Sequence, residues 1–341
     1  MFAHAIVAAA TQAWPPFVLV AGLLLIGAVA AHDGLFEALG ARVARARLSG
    51  YSLLLALLAL VAVVTAVLNL DTSVVFLTPV LVHAARQRRL NERPFLYGSV
   101  FMANAASLLL PGSNLTNLLV LRSDPQPGAA FAAHMLPAWI TACTITAAFL
   151  ALAFRLEDGR SEAAEPPPLR LGLGAAATVV AAVLVVALPS AALPVLGVGL
   201  TATAFRRIRP ELDVRALALL FALAVGLGGI ARLWHAPAHL LDSGATWTAA
   251  WTGAVASVLV NNLPAAVLTS AQPVAHPDAL LLGLDLGPNL AVTGSLSAVL
   301  WLHAARSVDA HPSITTYTRL GLFLVPLTVA ATLAALLAVR I

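Results

Sequence analysis

The chain is a succession of long apolar stretches separated by short polar steps. The stretches show no polar face at either the helical or the strand period. Pro15–Asp33, Ala130–Phe154, Leu171–Leu188, Val214–Arg232 and Thr316–Val339 approach the twenty or so residues with which a helix crosses ~30 Å of hydrocarbon. Gly34–Leu48 carries Arg42, Arg45 and Arg47 and predicts a helix on the membrane surface. Tyr51–Leu68 and Thr72–Ala85 are joined by Asn69-Leu70-Asp71, and Trp247–Val260 and Leu263–Ala271 by Asn261-Asn262. Each pair predicts a helical hairpin with a polar tip. A plainer hairpin is predicted from Leu171–Leu188 and Ala191–Phe205.

Two spans are too long for one crossing. Phe95–Leu121 would measure ~40 Å as a straight helix at about 1.5 Å per residue, and Pro111-Gly112-Ser113-Asn114 interrupts it. Ala279–His303 is interrupted by Gly287-Pro288-Asn289 and by Thr293-Gly294-Ser295. Both read as half-helices meeting near the bilayer centre, the device that brings helix ends and free backbone groups to a transported solute.

The order of span, polar-tipped hairpin, broken helix and span occurs twice. Leu68-Asn69-Leu70-Asp71 matches Val260-Asn261-Asn262-Leu263, and Pro111-Gly112-Ser113 matches Thr293-Gly294-Ser295. Arginines cluster at Arg42–Arg47, Arg86–Arg93 and Arg206–Arg215, which the positive-inside rule places in the cytoplasm. By that count the first hairpin opens inward and the second outward, and the weakly charged loop with His235, His239 and Asp242 lies outside. The predicted fold is therefore an all-α polytopic membrane protein with inverted-topology repeats and broken transmembrane helices, at home in the cell (inner) membrane. Residues 1–154 form the first repeat and 155–170 a cytoplasmic linker with Glu157, Asp158, Glu162, Glu165 and Pro166-Pro167-Pro168. A scaffold hairpin follows at 171–213, and the second repeat at 214–341. Inverted repeats with discontinuous helices mark a secondary transporter.

Composition narrows the function. Of 341 residues, 60% are hydrophobic and 10% charged, which excludes a soluble domain and a disordered chain. The lack of polar alternation excludes a membrane β-barrel. All 19 basic residues are arginine and most lie in short loops, so they set orientation and do not signal nucleic acid. Cys143, the single cysteine, can form no intramolecular bridge. The N-terminus lacks a basic region ahead of its apolar run, so the opening helix is expected to be retained. There is no CxxC, HExxH, P-loop or GxSxG arrangement, so neither an enzyme nor a cofactor or metal is expected. The driving force would come from an ion gradient, the membrane potential or a partner.

The candidate chemistry lies at the tips and breaks. Asp71 and Asp285 are carboxylates at membrane depth, costly there by about 2.5 kcal/mol or more, and are the candidate proton or ion coupling residues. Around them the first half supplies Asn69, Thr72, Asn104, Ser107, Ser113, Asn114, Thr116 and Asn117, and the second Asn261, Asn262, Asn289, Thr293 and Ser295. Amides and hydroxyls both donate and accept, so they can replace water around a small neutral solute or a cation. Helix caps and interhelical packing use the same residue types, but would not concentrate them at paired breaks. No basic residue lies near either break. A dianion would have only the positive half-helix ends to lean on, against two acids, so neutral or cationic cargo fits better. His134 and His303 are further candidates for proton relay or for structural roles. His32 and His83 read as interfacial, and Trp14, Trp234 and Trp301 as interface anchors.

Two stretches resemble a known family. Met102-Ala103-Asn104-Ala105-Ala106-Ser107-Leu108-Leu109-Leu110-Pro111-Gly112-Ser113-Asn114-Leu115-Thr116-Asn117 is similar to a loop of the arsenite/antimonite efflux permeases. So is Asp285-Leu286-Gly287-Pro288-Asn289 with Thr293-Gly294-Ser295-Leu296 and Leu300-Trp301-Leu302-His303, and Asn261-Asn262-Leu263-Pro264 looks like the family's hairpin tip. The likeness runs from about Pro15 to the end, opening near the family's third span. It departs at the first tip, Asn-Leu-Asp-Thr, where the family has Asn and Asp adjacent. The resemblance implies membership of the ion-transporter superfamily, re-entrant hairpins at Tyr51–Ala85 and Trp247–Ala271, and an elevator-like movement. It further implies export of arsenite or antimonite as a trihydroxide, by proton antiport or with an arsenical ATPase subunit. Sodium/proton antiport and sodium-coupled organic-anion symport are the alternatives on the same scaffold.

Overall fold

The computed structural model describes residues 2–123, 126–157, 171–188, 190–209, 214–234, 241 and 244–338. Linker positions Asp158, Glu162, Glu165 and Pro166–Pro168, and the loop residues His235, His239 and Asp242, lie outside the described residues. All regular structure among the described residues is helical.

The chain runs α1 (Phe2–His32), α2 (Leu35–Arg45), α3 (Gly50–Val67), α4 (Leu70–Gln87), α5 (Arg93–Ala106), α6 (Leu115–Val120) and α7 (Gly128–Ala153). After the linker come α8 (Leu173–Ala187), α9 (Ala192–Arg206), α10 (Val214–Ala231), α11 (Thr246–Val260), α12 (Asn262–Thr269), α13 (Pro277–Leu286), α14 (Leu296–Arg306) and α15 (Ile314–Ala338). Helices α1, α3, α7, α10 and α15 are long and apolar enough to cross a membrane, and α8, α9 and α11 are shorter apolar helices. Gaps fall inside both overlong spans, between α5 and α6 and between α13 and α14.

Helix α1 starts at Phe2, well before Pro15. Pro15 and Pro16 lie inside it, although each removes a backbone donor. The preceding turns persist because Ala5, Ala9 and Ala13 form a buried stripe at a spacing of four, with α1 packed along α10. The proline pair punctuates the sequence, and packing overrides it.

At the other end of α1, Asp33 ties three helices together. Its Oδ2 accepts from the Gly174 N–H at 2.8 Å and from Arg206 Nη2 at 2.9 Å, and its Oδ1 lies 2.9 Å from Arg206 Nε. Burial by itself raises the carboxyl pKa, but the Gly174 N–H and the Arg206 guanidinium outweigh it and hold Asp33 below its ordinary value. An acid whose pKa is lower folded than unfolded stabilises above its unfolded value, and that stabilisation fades as pH falls through the folded value. Asp33→Asn is therefore expected to lower the melting temperature at neutral pH. The gap to the native chain should close as pH drops below about 4, the ordinary Asp value, and melting curves of both proteins in detergent across that range check it.

Candidate substrate and coupling site

Each tip and each break is built around a short polar side chain that caps the next helix. Asn69 Oδ1 accepts from the Thr72 N–H at 2.7 Å to start α4. Asn261 Oδ1 accepts from the Leu263 N–H at 3.3 Å to start α12, with Asn261 at φ 77°, ψ 148°, a positive-φ extended conformation that residues other than glycine rarely adopt. Asn114 Oδ1 caps α6 through the Thr116 N–H at 3.2 Å, and Ser295 Oγ caps α14 through the Ala298 N–H at 3.2 Å. These caps satisfy amides that are otherwise left without a partner inside the protein.

The two breaks share one backbone course. Leu110 is extended, Pro111–Ser113 forms a 3₁₀ turn, and Asn114 is extended again at φ −147°, ψ 141°. Ala291 is extended, Val292–Gly294 forms a 3₁₀ turn, and Ser295 is extended at φ −149°, ψ 154°. The structural match thus pairs Pro111–Ser113 with Val292–Gly294, one position earlier than the side-chain likeness to Thr293-Gly294-Ser295. In this register Asp285 occupies the position held by Asn104 in the first half.

The halves interlock. The second arm of the first hairpin, α4, packs on α14, the helix after the second break. The second arm of the other hairpin, α12, packs on α6, the helix after the first break. Ser113 Oγ donates to the Ala66 carbonyl at 3.1 Å, joining the first break to its own hairpin. Asn261 Nδ2 does the same for the second half, donating to the Thr293 carbonyl at 2.9 Å.

Asp285 is at the centre of this arrangement and is fully buried. Its Oδ1 accepts from Asn114 Nδ2 at 2.8 Å and Thr116 Oγ1 at 2.9 Å, and its Oδ2 from Ser107 Oγ at 3.1 Å. All three donors are uncharged and all come from the first break. Alongside, Asn104 Nδ2 donates to Asn289 Oδ1 at 2.7 Å, and Asn289 Nδ2 reaches the Phe101 carbonyl at 3.4 Å. Asn117 Nδ2 donates to the carbonyl of Ser107 at 2.8 Å. The sequence-derived set Asn104, Ser107, Asn114, Thr116, Asn117, Asp285 and Asn289 is therefore one contiguous buried network.

Asp71 is elsewhere. It accepts from Ser297 Oγ at 2.6 Å and shares no hydrogen-bond partner with Asp285. The structure thus shows two carboxylate centres where the sequence suggests a single pocket around a pair of acids. Thr72, on the next residue, is buried, as are Asn69 and Asn262. Thr293 has its side chain exposed and enters the break only through its carbonyl.

Among the described residues, nine buried side-chain polar atoms have no hydrogen-bond partner: Asn104 Oδ1, Asn117 Oδ1, Asn69 Nδ2 and Thr72 Oγ1 lie at the tips and breaks, and the others belong to Arg45, Thr65, Arg88, Thr146 and Thr332. Such an atom costs about 1–3 kcal/mol while it stays unpaired, so Asn104 Oδ1 and Asn117 Oδ1 are acceptors free to take a donor beside Asp285.

Three features escape sequence reasoning. Ser297, the partner of Asp71, follows Ser295 in a Gly-Ser-Leu-Ser run and was detectable only as an extra hydroxyl within an overlong span. Tyr317 supports the second break, its hydroxyl donating to the Pro288 carbonyl at 2.9 Å. Trp301 is not an interface anchor. It is fully buried, donates from Nε1 to the Leu96 carbonyl at 2.8 Å, and packs against Tyr97 and Tyr317. His303 is exposed and bonded to the Val299 carbonyl, whereas His134 pairs with Asp278 at 3.0 Å on α13.

Several apolar helices long enough to span, two hairpins with capped polar tips and two interrupted helices joined through a buried carboxylate define a multi-pass secondary transporter of the ion-transporter type. A family model described as CitMHS: Citrate transporter matches residues 2–287, and the chain belongs to that family. Comparison with curated proteins finds no match.

Proposed function

We propose that the protein exports arsenite and antimonite as neutral trihydroxides across the cell inner membrane, exchanging them for protons. One observation carries this reading. Asp285 is held by three uncharged donors, with the unpartnered amide oxygens of Asn104 and Asn117 in the same network and no basic side chain among its partners. A trihydroxide offers O–H donors to those oxygens and carries no charge for the carboxylate to repel. With Cys143 as the sole cysteine, the chain cannot offer a trithiolate, so the solute is held through its hydroxyls. Asp285 takes the proton on one face of the membrane and yields it on the other, and Asp71 with Ser297 is a second coupling group. The motif likeness around Asn104–Asn117 and Asp285–His303 supports the same cargo, with an arsenical ATPase as the partner subunit it implies.

The family's description favours a second reading, an organic anion such as citrate. A tricarboxylate would meet Asp285 as a like charge, so it would need a cation to accompany it. Two assays separate the readings. In an arsenite-sensitive host, expression is expected to lower arsenite accumulation severalfold. Proteoliposomes loaded through a proton gradient are expected to take up arsenite but not labelled citrate. Unchanged arsenite accumulation at good expression, with gradient-driven citrate uptake, would replace the first reading by the second.

A further inference from the structure

Asp71 opens onto the largest of the described cavities, about 470 Å³, bounded by α1, α4, α10 and α14 and by Ile208 and Arg209 beyond α9. That volume is in the range of sites for drug-sized ligands. Its walls are apolar, formed by residues such as Leu24, Leu217 and Leu300, and Phe76 presents an aromatic ring. Among the described residues Asp71 accepts one hydrogen bond, from Ser297, and forms no ion pair. Among the described residues the other ionisable groups lining the cavity are His32 and Arg209, both exposed. His32 faces Asp33 at 3.7 Å and is largely exposed.

We infer that this cavity is a binding site for a lipophilic organic monocation, a bulky apolar body with one positive centre set against Asp71. An anion of the same shape would meet the carboxylate as a like charge, and a neutral hydrocarbon would leave it uncompensated in an apolar chamber. The ring of Phe76 adds a second attraction for positive charge. Beyond Asp71, Thr72, His32 and Arg209 the described walls offer no polar side chain, and the site shares no residue with the Asp285 network. The inference does not depend on the arsenite reading, because the ligand can be followed at equilibrium without transport.

The probe is tetraphenylphosphonium, whose charge is permanent, with tetraphenylborate as the anion of matching shape. Purified full-length protein in detergent is expected to bind the phosphonium at least about tenfold more tightly than the borate. Asp71→Asn should weaken phosphonium binding by about tenfold or more and largely remove the discrimination. Leu217→Trp, which fills the chamber and leaves the carboxylate, should weaken binding comparably. Leu152→Trp, on an 86% exposed position of α7, should leave it unchanged. Melting curves verify that each variant is folded. Equal binding of cation and anion, full binding by folded Asp71→Asn, or equal behaviour of the two tryptophan variants would overturn the inference.

Discussion

Asp285→Asn is expected to abolish arsenite export while leaving the protein folded. The asparagine Oδ1 can keep the bonds from Asn114 Nδ2 and Thr116 Oγ1, and its new NH₂ faces Ser107 Oγ, a hydroxyl able to turn and accept. The shape of the network survives and the capacity to take up and release a proton does not. Asp285→Ala removes the acceptor altogether. It strands Asn114 Nδ2 and Thr116 Oγ1 at about 1–3 kcal/mol each, while Ser107 Oγ keeps the Asn104 carbonyl at 2.8 Å, so a fall of about 2 kcal/mol or more in stability should accompany the loss of export. Arsenite accumulation in the sensitive host and melting in detergent read the two effects separately. Export by Asp285→Asn at the native rate would show that the coupling proton is carried elsewhere.

The second large effect concerns Gly321 on α15. A Cβ there would lie 2.0 Å from the Asn289 carbonyl oxygen and 2.8 Å from the Leu290 Cα, both backbone atoms of the second break. Neither can swing aside as a side chain could, so Gly321→Ala must push the break itself. Overpacking of this kind costs about 1–3 kcal/mol, and a displacement of ~1 Å at a reacting or binding group can cost about a hundredfold in rate. The variant is therefore expected to melt lower and to export arsenite at least tenfold more slowly, by analogy with that sensitivity. Gly197→Ala on α9 is the control, because a Cβ there meets nothing within 4 Å. It should be neutral or stabilise by about 0.5–1 kcal/mol through higher helix propensity. Equal melting and equal export by both variants would mean that the second break tolerates movement.

The breaks and tips were legible because the bilayer removes alternatives. A run too long and too apolar to be anything but a span, interrupted by Pro111-Gly112-Ser113-Asn114 or by Gly287-Pro288-Asn289, has to turn within the protein, and its freed amides need caps. Partnership was less legible. Sequence places Asp71 and Asp285 at similar depth, but depth does not say that one lies against Ser107, Asn114 and Thr116 and the other against Ser297. The repeat register was misread by one residue because serine occurs on both sides of the comparison. Ser113 bonds the Ala66 carbonyl, whereas Ser295 caps a helix as Asn114 does. Trp301 misled for a related reason. A tryptophan near the end of a span resembles an interfacial anchor until its indole N–H finds a carbonyl inside the bundle.

The three bonds to Asp285 all run from one half of the molecule to the other. Any rearrangement that slides the halves apart breaks them together and leaves an acid and its donors stranded without compensation. In the proposed exchange an unloaded carrier would therefore be latched, and an incoming solute or proton that takes over those bonds would free it to move. On that reading the same few atoms that select the passenger would suppress futile cycling and keep the gradient from leaking away.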